Sequence, residues 1–404
     1  MRILNITAQK PDGTGSGVYL SEMVRCECEL GHQTAVICGV AADDAIDTLS
    51  AGTQLFDVRF DTSELPFHVC GMSNVMPYPA TRYCDLTPQM LQEFESAFHH
   101  RIQEAIDQFK PDVIICHHLY LVCAIARECA PDIPMAAVCH STDLRQMAQH
   151  RLERERITKG IRGLDAILAL HKAQAEKIVA TFGVPRELIH VIGTGINDKV
   201  FSSRVTEGVE RLAGKICFAG KVWGAKGVPS LLRAVDNIRP DQLPDDTSYL
   251  SLDLAGGRSD DGLEYAAITR LARDIRWPAH LLGKIPQTDL ARRYSQSEIF
   301  CLPSFYEGLP LVLVEALACG CKLVATDLPG VRQWIEDNVP DPPIIWVKPP
   351  RMRGVDIPEP AELPDFERRL TKALLEALEM PERSCDVSRV SWLGLTRKAL
   401  GYLA

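Results

Sequence analysis

Short β-branched runs alternate with longer amphipathic segments along most of this chain, and that alternation constrains its fold more than any other feature. RILNIT is followed by a glycine-rich turn and by YLSEMVRCECELG, a helical pattern that stops at Gly31. QTAVICGV, PDVIICHH, PMAAVCHS and DAILALH come next, and most of these runs meet a polar residue at the C-terminal end. KICFAG, YLSLDLAG, AHLLGK, EIFCLPS, CKLVAT and PIIWVK continue the rhythm in the second half. Strands separated by helices predict parallel sheets built from βαβ units, an α/β fold whose ligands lie beyond the carboxyl ends of the strands.

A chain of 404 residues exceeds one ordinary core. The rhythm breaks over residues 190–214, which are polar and glycine-bearing, so the expected boundary falls after Ile192: one doubly wound, Rossmann-like domain over 1–192 and a second over 193–384, facing a cleft. A formal net charge of −9 argues against nucleic acid as a partner. The 14 cysteines include no CxxC, which leaves a zinc or thioredoxin-type site without support and reads as small buried hydrophobes in a reducing compartment. MRILNITAQKPDG lacks the design of a signal peptide, and the most apolar stretch, residues 303–330, carries Glu307 and Glu315; the expected location is cytoplasmic. Residues 349–367 read as a proline-rich surface loop.

Those two glutamates open the chemistry. Pro310 suits a first helical position and Gly320 a C′ position, which makes EIFCLPS a strand, FYEGL a turn and PLVLVEALAC a short helix. A helix N-terminus attracts anions. Eight residues of helix would separate the carboxylates by roughly 12 Å, about the span from sugar to ribose in a nucleotide sugar. The plainer reading makes Glu307 a turn residue and Glu315 a satisfied helix residue. In FAGKVWGAKGVPSLLRAV, Lys221 and Lys226 flank a strand-to-helix turn and offer point charges for a diphosphate, or are two solvated surface lysines. The Walker A pattern fails there. Asp12 to Gly17 spaces its glycines GxGxG, short of a dinucleotide fingerprint. His140 follows PMAAVC and His117 and His118 end PDVIICHH; each is a candidate proton handler or a packed ring. With no Asp-x-Asp in the chain, no metal site is expected, and the lysines would carry the electrostatic work.

Together these residues resemble the retaining GT-B glycosyltransferases of family 4, the glycosyltransferase group 1 type. Glu307 and Glu315 resemble the E-x7-E motif in its setting PS-x-x-EG-L-P-x-x-x-x-EA-x-A-x-G, Lys226-Gly227 resembles the family's KG, and Gly13, Gly15 and Gly17 match its N-terminal glycine loop. The ending VSWLGLTRKALGYLA is similar to the terminal helix that returns to the first domain, here 385–404. The resemblance implies a nucleotide diphosphate sugar, with uridine the commonest base, bound by the second domain. Lys221 and Lys226, with Gly15 and Gly17, would hold the diphosphate. Glu315 would take the ribose, and Glu307 with Gly308, Leu309, Pro310 and Leu311 the sugar. Lys284 and Ile285 would meet the base. Glu307, His140 and Lys226 are the implied catalytic residues, and transfer would retain configuration with no metal or cofactor.

Three departures stand out: lysine at Lys221 where the family has arginine, Thr194-Gly195-Ile196-Asn197 in the linker, and Ser141 where glycine is common. A nucleotide-sugar 2-epimerase of the same fold and a non-catalytic sugar-nucleotide-binding protein are the alternatives, with a sugar phosphorylase behind them. The acceptor is open among glycan, small molecule and lipid-linked hydroxyl, as is the oligomeric state. Residues 71–90 read as an irregular loop that shapes the acceptor pocket. Residues 150–163 carry five basic residues, a charge suited to anionic lipid, but two interleaved glutamates favour a solvated helix.

Overall fold

The computed structural model describes residues 1–403 apart from 12, 74–75, 203–206, 259–261 and 384. The chain folds into two compact units, Met1–Thr194 with Trp392–Ala404 and Gly195–Ser391. The expected boundaries at 192 and 385 therefore move to 194 and 391. Backbone bonding explains both shifts. Ile192 N–H donates to Ala169 O and Tyr19 Oη–H to Gly193 O, which ties 192–194 to the first unit. Ile196 N–H donates to Val390 O and pairs with Ser391, which keeps 385–391 with the second.

In the first unit the strands are β1 (Arg2–Ile6), β2 (Gln33–Ala41), β3 (Gln54–Phe60), β4 (Cys70–Gly71), β5 (Thr81–Arg82), β6 (Val113–His117), β7 (Met135–Val138), β8 (Ala166–Ala169) and β9 (Ile189–Val191). The helices are α1 (Gly15–Glu29), α2 (Pro88–Phe109), α3 (Leu121–Cys129), α4 (Thr142–Gln149), α5 (Arg154–Arg162) and α6 (Lys172–Phe182). Seven strands form one parallel sheet in the order β3-β2-β1-β6-β7-β8-β9. Every residue of VIICH, MAAV and AILA is buried, as expected of central strands covered on both faces. The order reverses between β1 and β6, so the ligand edge of this sheet is the pair of loops after those strands.

The second unit holds β10 (Leu212–Ala219), β11 (Ser251–Ala255), β12 (Ala279–Gly283), β13 (Ser297–Leu302), β14 (Lys322–Thr326) and β15 (Ile344–Val347). Its helices are α7 (Val228–Asp236), α8 (Gly262–Asp274), α9 (Gln287–Gln296), α10 (Leu311–Ala318), α11 (Val331–Asn338) and α12 (Leu363–Glu379). Its six-stranded parallel sheet runs β12-β11-β10-β13-β14-β15 and reverses between β10 and β13. A last helix, α13 (Trp392–Leu400), returns to the first unit and packs on α1. Trp392, 3% exposed, meets Tyr19 edge-on at 4.7 Å, Lys398 Nζ donates to Val191 O, and Tyr402 stacks on His190 at 3.7 Å.

The segment 71–90 is more ordered in its bonding than an irregular loop. It contains the end of the β4–β5 pair, a 3-10 turn at Tyr83–Asp85 and the start of α2; Asn74 and Val75 lie outside the described residues. Gln146 Nε2 donates to Met72 O, and Met76 and Tyr83 are buried. The basic run at 150–163 is largely committed within the protein: Arg156 pairs with Glu95 and Glu128, and Arg162 donates to Phe182 O. In the loop at 349–367, Met352 pairs with Pro358 and Arg353 N–H donates to Ile357 O. Among the described residues no helix is long and apolar enough to cross a membrane.

Candidate active site

The loops after β10 and β13 meet where the second sheet reverses, and glycines in the loops after β10 and β11 permit the close approach. Gly220 has φ 152° and Gly256, after β11, has φ 150°; a Cβ on Gly256 would stand 1.7 Å from Gly220 O, so only glycine fits. Gly227 has φ 70°, and a Cβ there would stand 2.1 Å from Pro303 O. Phe305 N–H donates to Ala225 O at 3.0 Å. The two loops thus touch through backbone, which brings their side chains together. Lys226 Nζ lies 2.6 Å from Glu307 Oε1, with the side chains 24% and 13% exposed.

Four residues past Glu307 the chain enters α10. Pro310 is the N-cap, one position before the first helical residue expected for it, and contributes no side-chain cap; Gly320 takes the left-handed conformation at C′ with φ 86°. The leading amides of Leu311 and Val312 stand at the N-terminal end of this helix, the position that attracts anions. Glu315 lies on α10 and is 7% exposed. Because Glu307 stands in the turn, the separation between the carboxylates is part loop and part helix. Gly308 is half-buried, and Leu309 and Pro310 are buried. Lys221 follows Gly220 directly and is half-buried. Lys284, after β12, is exposed; the stem of its side chain lies 3.4 Å from where a Gly257 Cβ would stand, with half-buried Ile285 beside it in the chain.

Gly15 and Gly17 belong to the first unit. They form the first turn of α1, where Thr14 Oγ1 accepts from Gly17 N–H at 3.1 Å, and a Cβ on Gly15 would meet nothing within 4 Å. Gly13 is crowded by the Tyr78 ring, 2.9 Å from a built Cβ.

Beyond β6 and β7 three histidine rings assemble. His140 packs 5.7 Å from His117, nearly parallel to it, and 4.8 Å from His118; Tyr19 meets His140 edge-on at 5.1 Å. Asp143 is completely buried and organises the group. It accepts from the backbone N–H of His140 at 2.7 Å and of Leu119 at 2.5 Å, and sits 3.1 Å from His118 Nδ1. Burial, reinforced by the neighbouring imidazoles, holds His140 well below its usual range, and His117 is lowered to about 3 by burial first and His118 second. Both rings are neutral at pH 7. Ser141, where glycine is common in such sequences, adopts φ 68°, which explains that preference; here its Oγ accepts from Gln174 Nε2 at 2.6 Å.

Sequence reasoning missed the support behind these rings. His117 Nε2 lies 3.3 Å from Asn5 Oδ1, and Asn5 Nδ2 donates to Glu27 Oε2 at 2.8 Å. Glu27 is fully buried, and desolvation raises its pKa to about 8. Polar residues at apolar phases of β1 and α1 were the available signal. Among the described residues no three histidine, cysteine or carboxylate side chains, these histidines included, are placed to hold one metal ion.

Comparison with known proteins gives the family. The profile of Glycosyltransferase Family 4 matches residues 13–200, and that of Glycosyl transferases group 1 matches residues 213–352. This chain belongs to glycosyltransferase family 4. A D-inositol 3-phosphate glycosyltransferase of Kribbella flavida is 28% identical to it over 188 residues, 44% of each chain, so this glycosyltransferase matches less than half the length of that relative. An MMP alpha-(1->4)-mannosyltransferase of Mycolicibacterium hassiacum is 24% identical over 336 residues, 77% of each. Among solved structures, sucrose-phosphate synthase of Thermosynechococcus elongatus superposes with TM-score 0.67 at 16% identity, covering 99% of this chain and 98% of that one. Anabaena HepE, solved with UDP and glucose, gives 0.65 at 16% identity, covering 100% and 99%. The two doubly wound units of this glycosyltransferase are the GT-B fold.

Proposed function

We propose that this glycosyltransferase moves a hexose from a nucleoside diphosphate sugar, with uridine as the favoured base, to an acceptor hydroxyl, with retention and without a metal ion. The observation that carries the reading is the 2.6 Å contact of Lys226 with Glu307 where the second sheet reverses, four residues before the first residue of α10. A lysine and free helical amides at one spot suit a diphosphate, because each adds positive potential where the departing nucleotide gains negative charge. Lys221 adds a second point charge. Glu307 accepts from the sugar hydroxyls and buried Glu315 from the ribose. Two carboxylates held in a packed turn and helix lose little freedom on binding. Lys284 and Ile285 lie along the base.

In the first unit neutral His140 orients the sugar as a hydrogen-bonding group. It does not serve as a cation, since burial opposes its protonation. The leaving phosphate takes the acceptor's proton. The solved HepE complexes hold UDP and UDP-glucose, which supports the uridine choice. One relative is named for D-inositol 3-phosphate and another for mannosyl transfer; the acceptor class here spans glycans, small molecules and lipid-linked hydroxyls. Fourteen free thiols suit a reducing compartment, and a cytoplasmic location belongs to the proposal.

The test is stabilisation by UDP, GDP and ADP and their common sugars, with EDTA present. At a hundredfold excess over its dissociation constant, a ligand that binds only the folded state adds about 2.7 kcal/mol. Stabilisation by one base series, lost in Lys226→Ala, is the expected result. No response to any nucleotide would remove the basis of the transferase reading. Conversion of the donor to a new sugar with no acceptor added would replace it with an epimerase.

A further inference from the structure

Lys226 and Glu307, which the proposed function assigns to different parts of the donor, are bound to each other. The contact is short at 2.6 Å, Glu307 is the more enclosed partner, and the backbone meeting of Gly227 with Pro303 and of Ala225 with Phe305 fixes both loops. Among the described residues, Lys226 is the one cation in ion-pair contact with Glu307.

We propose that this pair is a specificity device that makes the site prefer a nucleoside diphosphate carrying its sugar over the bare nucleoside diphosphate; the inference rests on the transferase reading above. A diphosphate that engages Lys226 competes with Glu307 for the same ammonium. A bare nucleoside diphosphate draws the lysine away and leaves a largely enclosed carboxylate beside new negative charge, which is unfavourable. An intact donor brings sugar hydroxyls that donate to Glu307 and replace the lost ammonium. The internal carboxylate therefore penalises the product and spares the substrate. After transfer the sugar hydroxyls depart, Glu307 regains Lys226, and the nucleoside diphosphate is displaced. Glu307 thereby discriminates between two ligands that share every atom of the nucleotide.

The experiment is titration calorimetry without acceptor, using whichever of UDP, GDP or ADP stabilises the protein and the glucose and mannose derivatives of that nucleotide. Glu307→Gln keeps the size of the side chain and removes its charge. It should bind the bare nucleoside diphosphate about tenfold tighter than wild type, the equivalent of one modest ion pair released from competition. Binding of the sugar nucleotide should stay level or weaken, so the preference for donor over product falls by at least the same factor. Glu307→Asp, which retracts the carboxylate, should lie between. In a Lys226→Met background, Glu307→Gln should tighten diphosphate binding by less than it does in the wild-type background, because competition for the ammonium is gone and only direct repulsion is relieved; an equal gain in both backgrounds overturns the role of the pair. Far-UV circular dichroism and urea midpoints check that each variant folds. Equal or weaker binding of the bare diphosphate by folded Glu307→Gln and Glu307→Asp overturns the proposal and leaves the transferase reading standing. Absence of nucleotide binding by the wild type overturns both.

Discussion

At the scale of single residues, the first unit carries buried titratable groups with opposite consequences. Glu27 has an ordinary value of 4.5 and is raised by burial to about 8. Its neutral form stabilises the fold fully below pH 4.5, and that stability is lost as the pH climbs through about 8. His117 runs the other way: its ordinary 6.5 falls to about 3, so the stability of its neutral form is present above 6.5 and is lost as the pH drops through 3. Glu27→Gln should therefore gain on wild type by about 1–3 kcal/mol between pH 5 and pH 8. Urea denaturation at a series of pH values measures it, and a constant difference across that range would show that Glu27 is ionised in the fold. Glu307 and Lys226 were legible in the sequence because their types and spacing carry chemistry. Glu27 and Asn5 left only a faint signal, a polar type at an apolar phase, since the contact between them and with His117 forms only once β1, β6 and α1 are packed together.

At the scale of elements, the decisive contacts are backbone to backbone. Gly227→Ala would put a methyl group 2.1 Å from Pro303 O in a left-handed conformation, so the loop after β13 must move and take Glu307 with it. We expect a loss of about 2–4 kcal/mol in stability and a loss of nucleotide binding greater than Lys226→Ala alone produces. Gly15→Ala is the contrasting case, with nothing near its Cβ; thermal unfolding of that variant should match wild type, or exceed it through better helix propensity. All six strands of the second sheet were visible as apolar runs. β3 and β9 were not, because QLFDVRF mixes charged and apolar residues as a sheet-edge strand does, and β9 has three residues. The terminal turn at Pro310 differs by one position from expectation because proline tolerates the N-cap as well as the first helical site.

For the whole molecule, the return of the C-terminus completes the first unit. Trp392 is 3% exposed against Tyr19, which itself meets His140 edge-on. Trp392→Ala should destabilise the first unit by about 3–5 kcal/mol, read as earlier proteolysis of Met1–Thr194 in denaturant, and should weaken transfer more than nucleotide binding. Equal loss of both would assign Trp392 a purely structural role. The alternation of strand and helix, the division into two doubly wound units and the glutamate and lysine motifs follow from local pattern, because side-chain period and residue chemistry are properties of short stretches. Whether Lys226 touches Glu307, why glycine stands at Gly227 and Gly256, and which polar groups sit dry behind His140 depended on tertiary structure. Those facts concern atoms that are distant along the chain and meet only when parallel strands bring their carboxyl ends to one edge.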